Sequence, residues 1–197
     1  MIDERKIARW ITDAVVRRPV LWRVLGGRMR DMFDRIAPTW ETRIGPQHLG
    51  ALRLALDGLT PTRVLDVGTG TGVAALAVAE WFPAADVTGV DLSPAMVAQA
   101  EAKRGRPHFR VADASRLPFA DTSFDLVVLM NAIPFFDELA RVLEPGAHVA
   151  FSFSRGAETP IYVSEARLRA ELGRRGFGEF ASFAGAESAT AFRAQKQ

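Results

Sequence analysis

A short apolar run followed by closely spaced glycines limits the folds open to this chain of 197 residues. In VLDVGTGTG, residues 64–72, the run delivers Asp66, and Gly68, Gly70 and Gly72 follow at every second position. Such glycines let the chain turn sharply and let its backbone approach a ligand that a side chain would block. A helix that begins after Gly72 would point its amide groups at that ligand. The segment therefore predicts a strand, a ligand-binding turn and a helix in succession.

The rest of the chain alternates between apolar runs and helical stretches. Strands are predicted at residues 63–67, 86–90, 108–112, 126–130, 147–153, 177–183 and 189–194, and helices at 73–81, 94–104, 135–143 and 163–175. Alternation at this length predicts an α/β fold, a single doubly wound seven-stranded sheet of Rossmann-like type, with its ligand site beyond the carboxyl ends of the parallel strands. The last two runs flank a short connection containing Gly185, which predicts an antiparallel hairpin at one edge.

Residues 1–60 show no strand signal and predict an N-terminal helical cap, while residues 61–197 form the predicted core domain. Apolar residues recur at helical spacing around Trp10 and again from Leu21 to Ile36, and a third helix is predicted at 46–56. Residues 1–63 hold 12 Lys and Arg against 7 Asp and Glu, so this front part is basic. Its arginines flank Trp10 and Trp22, as in a helix that binds peripherally to a membrane surface, or as in a cap that packs on the domain or on a second subunit of a homodimer. No nucleic-acid recognition module is recognisable, so no nucleic-acid partner is expected.

Acidic residues recur where predicted strands end. The second strand runs into Asp91, whose carboxylate could accept hydrogen bonds from a ribose diol, and Leu92 offers an apolar face to a base. The third strand is followed by Asp113 and Ala114, and this carboxylate could accept from an exocyclic amine. Acids at three successive strand ends, with Asp66, favour a nucleoside-containing ligand.

Composition excludes several other classes of site. The chain has no cysteine, so disulfides, thiolate nucleophiles and cysteine-bound metals are excluded, and a reducing cytoplasm is the compatible location. His48, His108 and His148 lie far apart, so no metal site is expected. No apolar run approaches the ~20 residues of an integral membrane span, and the first residues, with Asp3 and Glu4, lack a secretory pattern.

At this point residues 60–195 resemble the class I S-adenosylmethionine-dependent methyltransferases. The resemblance rests on VLDVGTGTG, GVDLSPAMV, VADASRLPF, FDLVVLMNAI and ELARVLEPG in the family's order. It implies S-adenosylmethionine as the cofactor, S-adenosylhomocysteine as its product, and the strand order 3-2-1-4-5-7-6. The cofactor-binding residues that it implies or that accompany its motifs are Asp66, Gly68, Thr69, Gly70, Gly72, Asp91, Leu92, Met96, Asp113, Ala114, Met130 and Asn131.

The front part shows a second resemblance. Residues 29–42, MRDMFDRIAPTWET, are similar to the segment before the core in ubiquinone and menaquinone C-methyltransferases, although those usually have a Tyr-Asp pair where this chain has Trp40 and Glu41. Such a segment caps the cofactor pocket, so Trp40 is a further candidate contact. The resemblance implies direct in-line methyl transfer to a small, lipophilic or aromatic molecule.

The acceptor pocket is predicted from the cap, the loop after the fourth strand and residues 154–164. His48 is the candidate general base, and Asn131 is the candidate residue beside the reacting atoms. The run from Asn131 to Phe136 also resembles imperfectly the Asn-Pro-Pro-aromatic loop of amino-methylating enzymes; the alternative is a hydrophobic acceptor wall. Two other classes stay open: an NAD(P)-binding oxidoreductase, for which Tyr162 lacks a lysine four residues on, and a non-catalytic cofactor-binding relative.

Overall fold

The front part of the chain is helical. The computed structural model describes residues 4–42 and 46–197. Asp3, one of the residues named above as unlike a secretory pattern, lies outside these ranges. Helix α1 (Glu4–Arg17) and helix α2 (Trp22–Ile36) are joined by a 3₁₀ turn, Pro19–Leu21, and the 3₁₀ turns Ala37–Thr42 and Pro46–Leu49 precede helix α3 (Gly50–Leu56). In the described ranges no helix has both the length and the apolar character needed to cross a bilayer.

The remaining chain forms one seven-stranded sheet with helices between its strands. The elements are β1 (Arg63–Val67), α4 (Val73–Trp81), β2 (Asp86–Asp91), α5 (Pro94–Ala102), β3 (His108–Val111), β4 (Phe124–Met130), α6 (Phe136–Val142), β5 (Leu143–Phe153), α7 (Glu165–Gly173), β6 (Phe177–Ala184) and β7 (Thr190–Lys196). The strand order is β3-β2-β1-β4-β5-β7-β6, with β1 to β5 parallel and β7 antiparallel to both of its neighbours. The predicted fold class and strand order are confirmed.

The start of β5 differs from the prediction by four residues. Phe124 of β4 pairs with Leu143, but Leu126 pairs with His148, so additional residues bulge out of β5 between the two pairs. This bulge contains Pro145, which has no N–H to donate, and Gly146, which has a φ of +82°. Both residues interrupt the strand pattern in the sequence, and for that reason the sequence predicts a strand start at residue 147.

Strand residues alternate between two packed layers. Leu65 and Val67 of β1 face a hydrophobic cluster that includes side chains of α1, α2, α6 and α7, whereas Val64 faces a cluster built with α3 and α4. The predicted cap therefore packs in two places. Helices α1 and α2 share the layer with α6 and α7, and α3 lies on the opposite face, in contact with β5, β6 and β7.

Candidate active site

The glycine turn after β1 is held by the backbone and by one carboxylate. Gly68 and Gly70 have φ values of +72° and +55°, a region that side-chain-bearing residues rarely adopt. The N–H groups of Gly68 and Thr69 donate to the Val90 carbonyl at 2.8 and 2.9 Å, and the Gly70 N–H donates to Asp91 Oδ2 at 2.8 Å. A Cβ atom on Gly68 would lie 2.5 Å from the Cβ of Ala132, so the loop after β4 depends on glycine there.

Asp91 lies at the end of β2, beside the glycine turn. Its Oδ1 accepts from the Ser93 N–H at 2.9 Å, and its Oδ2 accepts from Gly70. Desolvation raises the pKa of Asp91, and the hydrogen bonds from the Ser93 and Gly70 N–H groups oppose that rise. Each carboxylate oxygen has a second lone pair, so Asp91 keeps acceptor capacity for hydroxyl groups of a ligand.

Asp66 is buried at the end of β1 with half of its carboxylate unused. Its Oδ2 accepts from the Thr69 hydroxyl at 2.6 Å, while its Oδ1 has no hydrogen-bond partner within the described ranges. Burial raises the pKa of Asp66 to about 7. A buried oxygen without a partner is costly, and it marks a place where a donor on a ligand would be stabilised.

These groups border a cleft, here called the inner cleft. Of the predicted set it is lined by Trp40, Asp66, Gly68, Thr69, Gly70, Asp91, Leu92, Met96, Ala114, Met130 and Asn131. The structure thus brings together residues from four strand ends and from the front part of the chain.

Gly72 and Asp113 do not line the inner cleft. Gly72 precedes α4 with a φ of +83°, and a Cβ atom there would lie 2.8 Å from the ring of Phe109, so this glycine serves packing. Asp113 Oδ1 accepts from the indole N–H of Trp22 at 2.8 Å and from the Ser115 N–H at 2.8 Å. The carboxylate that the sequence predicts at an adenine edge is thus used to fasten the cap.

Several residues that line the inner cleft are not among the predicted cofactor contacts. Trp22, Met29 and Phe33 of α2 cover the inner cleft, together with Ile133 and Phe135 of the loop after β4. The apolar stripe on α2 is visible as helical periodicity, but periodicity does not tell which surface the stripe meets.

Edge-to-face contacts and one short hydrogen bond hold this cover. Phe33 packs against Trp40 with ring centroids 5.6 Å apart, and Trp22 packs in the same way on Phe135 at 5.3 Å. The carboxylate of Asp34 accepts from the Ser93 hydroxyl at 2.5 Å. Helix α2 is thereby tied to the start of α5, next to Asp91.

A second cavity, here called the outer cavity, adjoins the inner cleft. The two share Phe33, Trp40, Asn131 and Ile161 in their linings. The outer cavity measures about 430 Å³, whereas the inner cleft holds only about 100 Å³. Small-molecule sites occupy roughly 300–1,000 Å³, so the outer cavity has the size of such a site and the inner cleft is smaller than one.

Asn131 stands where the two spaces meet. It has a φ of +54°, its amide Nδ2 donates to Ser154 Oγ at 3.1 Å, and its Oδ1 accepts from the Ser154 N–H at 2.9 Å. This two-point clamp fixes the side chain across two neighbouring strands. His48, the predicted base, is partly buried and also lines the outer cavity.

Comparison with known proteins places this arrangement in a family. Residues 64–146 match the methyltransferase-domain family. A demethylmenaquinone methyltransferase of Chlorobaculum parvum is 37% identical over 136 residues, which are 60% of this chain and 56% of that protein. A malonyl-[acyl-carrier protein] O-methyltransferase of Geobacter sulfurreducens is 41% identical over 157 residues, which are 74% of this chain and 59% of that protein. The chain spans less than two thirds of the length of either relative.

Solved structures share the fold at lower sequence identity. The [4+2]-cyclase SpnF superposes with a TM-score of 0.68 and 20% identity, over 85% of this chain and 94% of that one. Fold, glycine turn and strand-end acids together define a class I α/β methyltransferase domain. The chain belongs to the class I S-adenosylmethionine-dependent methyltransferase family, as the resemblance of its motifs implies.

Proposed function

We propose that the protein is an S-adenosylmethionine-dependent methyltransferase whose small, lipophilic or aromatic acceptor binds in the outer cavity. The observation that carries the proposal is the inner cleft, which combines a glycine turn, the half-buried Asp91 and the buried Asp66, one oxygen of which has no partner among the described residues. This cleft opens at Asn131 into a second cavity. The cofactor supplies, when bound, a methyl group already activated on a sulfonium.

The residues of the inner cleft fit this cofactor. Asp66 Oδ1 is suited to the ammonium of the methionine part, since a buried anionic acceptor without a partner is stabilised by a cationic donor. Asp91 keeps acceptor capacity for the ribose hydroxyls, and Leu92, Met96 and Ala114 supply an apolar wall for the base. The solved structure of phosphoethanolamine N-methyltransferase 2 from Haemonchus contortus has a similar fold and contains S-adenosylhomocysteine. That ligand supports the proposed cofactor.

The remaining residues place the acceptor and exclude water. The clamped Asn131 borders both spaces, so it lies beside the reacting atoms, and Phe33 and Trp40 close the junction against solvent. Alignment and desolvation supply much of the rate acceleration in such transfers. For an acceptor that must lose a proton, His48 is the proposed general base.

Calorimetric titration with S-adenosylhomocysteine tests the proposal. We expect saturable 1:1 binding, and for Asp91→Ala a loss of about 1.5–3 kcal/mol, the range of a hydrogen bond to a charged group. Asp86→Ala is the matched control, because Asp86 begins the same strand at its opposite, exposed end. Absence of binding by the folded wild-type protein would refute the proposal, and full binding by Asp91→Ala would remove Asp91 from the site.

Two other functions are weighed against this one. Tyr162, the tyrosine that an oxidoreductase would use, packs on Phe153 and borders a different cavity. Titration with reduced nicotinamide cofactor, followed by its fluorescence, separates this class, and we expect no binding. The likeness to a cyclase shows that the fold alone does not fix methyl transfer, so release of S-adenosylhomocysteine during turnover is the measurement that separates a methyltransferase from a cofactor-binding relative.

Peripheral membrane contact is proposed at the joint of α1 and α2. Val20 and Val24 are 63% and 74% exposed there, and Arg17, Arg18 and Arg23 are exposed beside them. Apolar side chains ringed by cations suit an anionic lipid surface. Sedimentation with phosphatidylglycerol vesicles, and not with phosphatidylcholine vesicles, is the expected result. Cytoplasmic localisation and a homodimer remain predictions.

A further inference from the structure

One of the arginines that line the outer cavity has no acidic partner among the described residues. Its charged lining residues are Glu4, Arg5 and Arg155. Glu4 faces Arg35, which lies outside this lining, with 3.7 Å between the carboxylate oxygen and the guanidinium. The Arg155 guanidinium has no hydrogen bond or ion pair with any residue in the described parts of the chain. One lining arginine is therefore available to a ligand.

Hydrogen bonds fix the backbone of Arg155 beside the junction of the inner cleft and the outer cavity. The preceding residue, Ser154, forms both hydrogen bonds of the Asn131 clamp, and consecutive Cα atoms are only ~3.8 Å apart. On the other side, the Arg155 N–H donates to the hydroxyl of the buried Thr159 at 3.1 Å. The backbone of Arg155 is thus fixed next to Asn131, and its exposed side chain borders the outer cavity from there.

The rest of the cavity wall suits an apolar body. The apolar side chains in the lining are Ala8, Met32, Phe33, Ile36, Trp40, Pro160 and Ile161. They come from α1, from α2, from the turn that follows α2 and from the segment after β5, on both sides of the cavity. A volume of about 430 Å³ accommodates a medium-length alkyl or aryl group with its polar head at Asn131.

We infer that the methyl acceptor is an amphiphilic carboxylic acid, and that Arg155 is the residue that selects its carboxylate. This inference rests on the proposed methyltransferase function. A carboxylate oxygen attacks the methyl carbon, the new C–O bond forms as the C–S bond breaks, and the sulfonium sulfur keeps the electron pair. The products are a neutral methyl ester and a thioether, and no proton is released.

Methylation of a carboxylate releases no proton, so it needs no general base from the cavity. An alcohol or phenol acceptor must give up one proton to a base, the role that we propose for His48 in the described lining. A carboxylate is already ionised at neutral pH, so it needs orientation by a cation and no base. Arg155 provides the orientation, and His48 is then dispensable for the chemical step.

The test compares acids with their neutral analogues on protein saturated with S-adenosylhomocysteine. Decanoate and 4-phenylbutyrate are titrated calorimetrically beside decanol and 4-phenylbutanol. We expect at least one acid to bind ten-fold or more tightly than its alcohol, and Arg155→Gln to remove that preference without changing binding of the alcohol or of S-adenosylhomocysteine. Arg18→Gln is the matched control, because Arg18 is exposed and lies outside both spaces.

Turnover supplies a second readout. With S-adenosylmethionine, the preferred acid should yield its methyl ester, with no proton release in a weakly buffered indicator assay. The inference is overturned if neither acid is preferred over its alcohol, if Arg155→Gln weakens acid and alcohol equally, or if one proton appears per methyl transferred. Failure of S-adenosylhomocysteine to bind would instead refute the proposed function, so the two failures are distinguishable.

Discussion

The inner cleft and the outer cavity meet at Asn131, but main-chain groups contribute much more to the first than to the second. Main-chain groups shape the inner cleft: the Gly68 and Thr69 N–H groups donate to Val90, and the Gly70 N–H donates to Asp91. Side chains shape the outer cavity, and they come from α1, from α2, from the turns before α3 and from the segment after β5. Consecutive strand ends form the base of the inner cleft, whereas distant segments form the whole of the outer cavity.

This difference agrees with the extent of the family match. The methyltransferase-domain match spans residues 64–146, so it includes the glycine turn, Asp91 and Asn131 but neither the helices before the sheet nor Arg155. The two relatives compared above are named for different acceptors, a demethylmenaquinone and a malonyl-[acyl-carrier protein]. A site made of backbone is reused for one cofactor, while a side-chain cavity is free to change with the substrate.

The largest expected effect comes from adding a single methyl group to the inner cleft. In Gly68→Ala the new Cβ would lie 2.5 Å from the Cβ of Ala132, next to Asn131, and the backbone has a φ of +72°. We expect S-adenosylhomocysteine binding to weaken by ~100-fold or more, equivalent to ~2.8 kcal/mol, because the turn and the junction must both move. Calorimetry measures the affinity, and thermal unfolding measures the accompanying loss of stability.

Gly58→Ala is the control that separates backbone strain from a steric clash of the new Cβ atom. Gly58 has a similar φ of +76°, but a Cβ atom there would have no atom within 4 Å. Its strain of roughly 1–2 kcal/mol should lower stability and leave cofactor binding intact. Equal affinities for S-adenosylhomocysteine in the two variants would show that the inner cleft does not depend on the backbone path at Gly68.

A second prediction concerns pH, because Asp66 is buried with one oxygen unpartnered. Its pKa is about 7 in the folded protein against an ordinary value of 3.8, so between these values the folded state holds a proton that the unfolded state has released. Stability conferred by the protonated carboxyl is therefore present at pH 4 and lost as pH rises toward 7, by at most ~1.4 kcal/mol per pH unit. Asp66→Asn should remove this slope, as urea unfolding at pH 5 and pH 7 would measure.

The same carboxylate should make cofactor binding depend on pH in the opposite direction. The ammonium of the methionine part is stabilised by ionised Asp66, so affinity for S-adenosylhomocysteine should rise up to about pH 7. Calorimetry in buffers of different ionisation enthalpy should detect proton release on binding near pH 6. A wild-type protein and an Asp66→Asn variant with parallel affinity profiles would exclude Asp66 as the ammonium acceptor.

More of the inner cleft than of the outer cavity can be predicted from the sequence. Gly68, Gly70 and Asp91 are predictable because the conformations and hydrogen bonds that they need are local to one turn and its neighbouring strand. The Asn131–Ser154 clamp joins residues 23 apart, and the Trp22–Asp113 bond joins residues 91 apart. No local pattern encodes such pairs, since they depend on which faces of separate elements meet.

The position of α3 and the start of β5 show the same limit in the fold. The sequence predicts a helix at 46–56 but groups it with the cap, whereas its apolar side packs with α4 on the opposite face of the sheet. Pro145 and Gly146 interrupt the strand pattern although the chain around them pairs with β4. Element type follows from local periodicity, and layer assignment and bulges follow from tertiary packing.

The smallest predicted effect measures how firmly the cap is fastened over the inner cleft. Trp22→Phe removes the indole N–H donated to Asp113, while Asp113 Oδ1 keeps the Ser115 N–H. We expect a loss of about 1–1.5 kcal/mol in the free energy of unfolding, at or below the lower end of the range for a hydrogen bond to a charged group, because the carboxylate is not left unpaired. Trp10→Phe is the control, since Trp10 is 60% exposed, and it should leave stability unchanged. If the two variants unfold at the same urea concentration, the bond from Trp22 does not hold the cap. The inner cleft would then owe its cover to apolar packing of α2 alone.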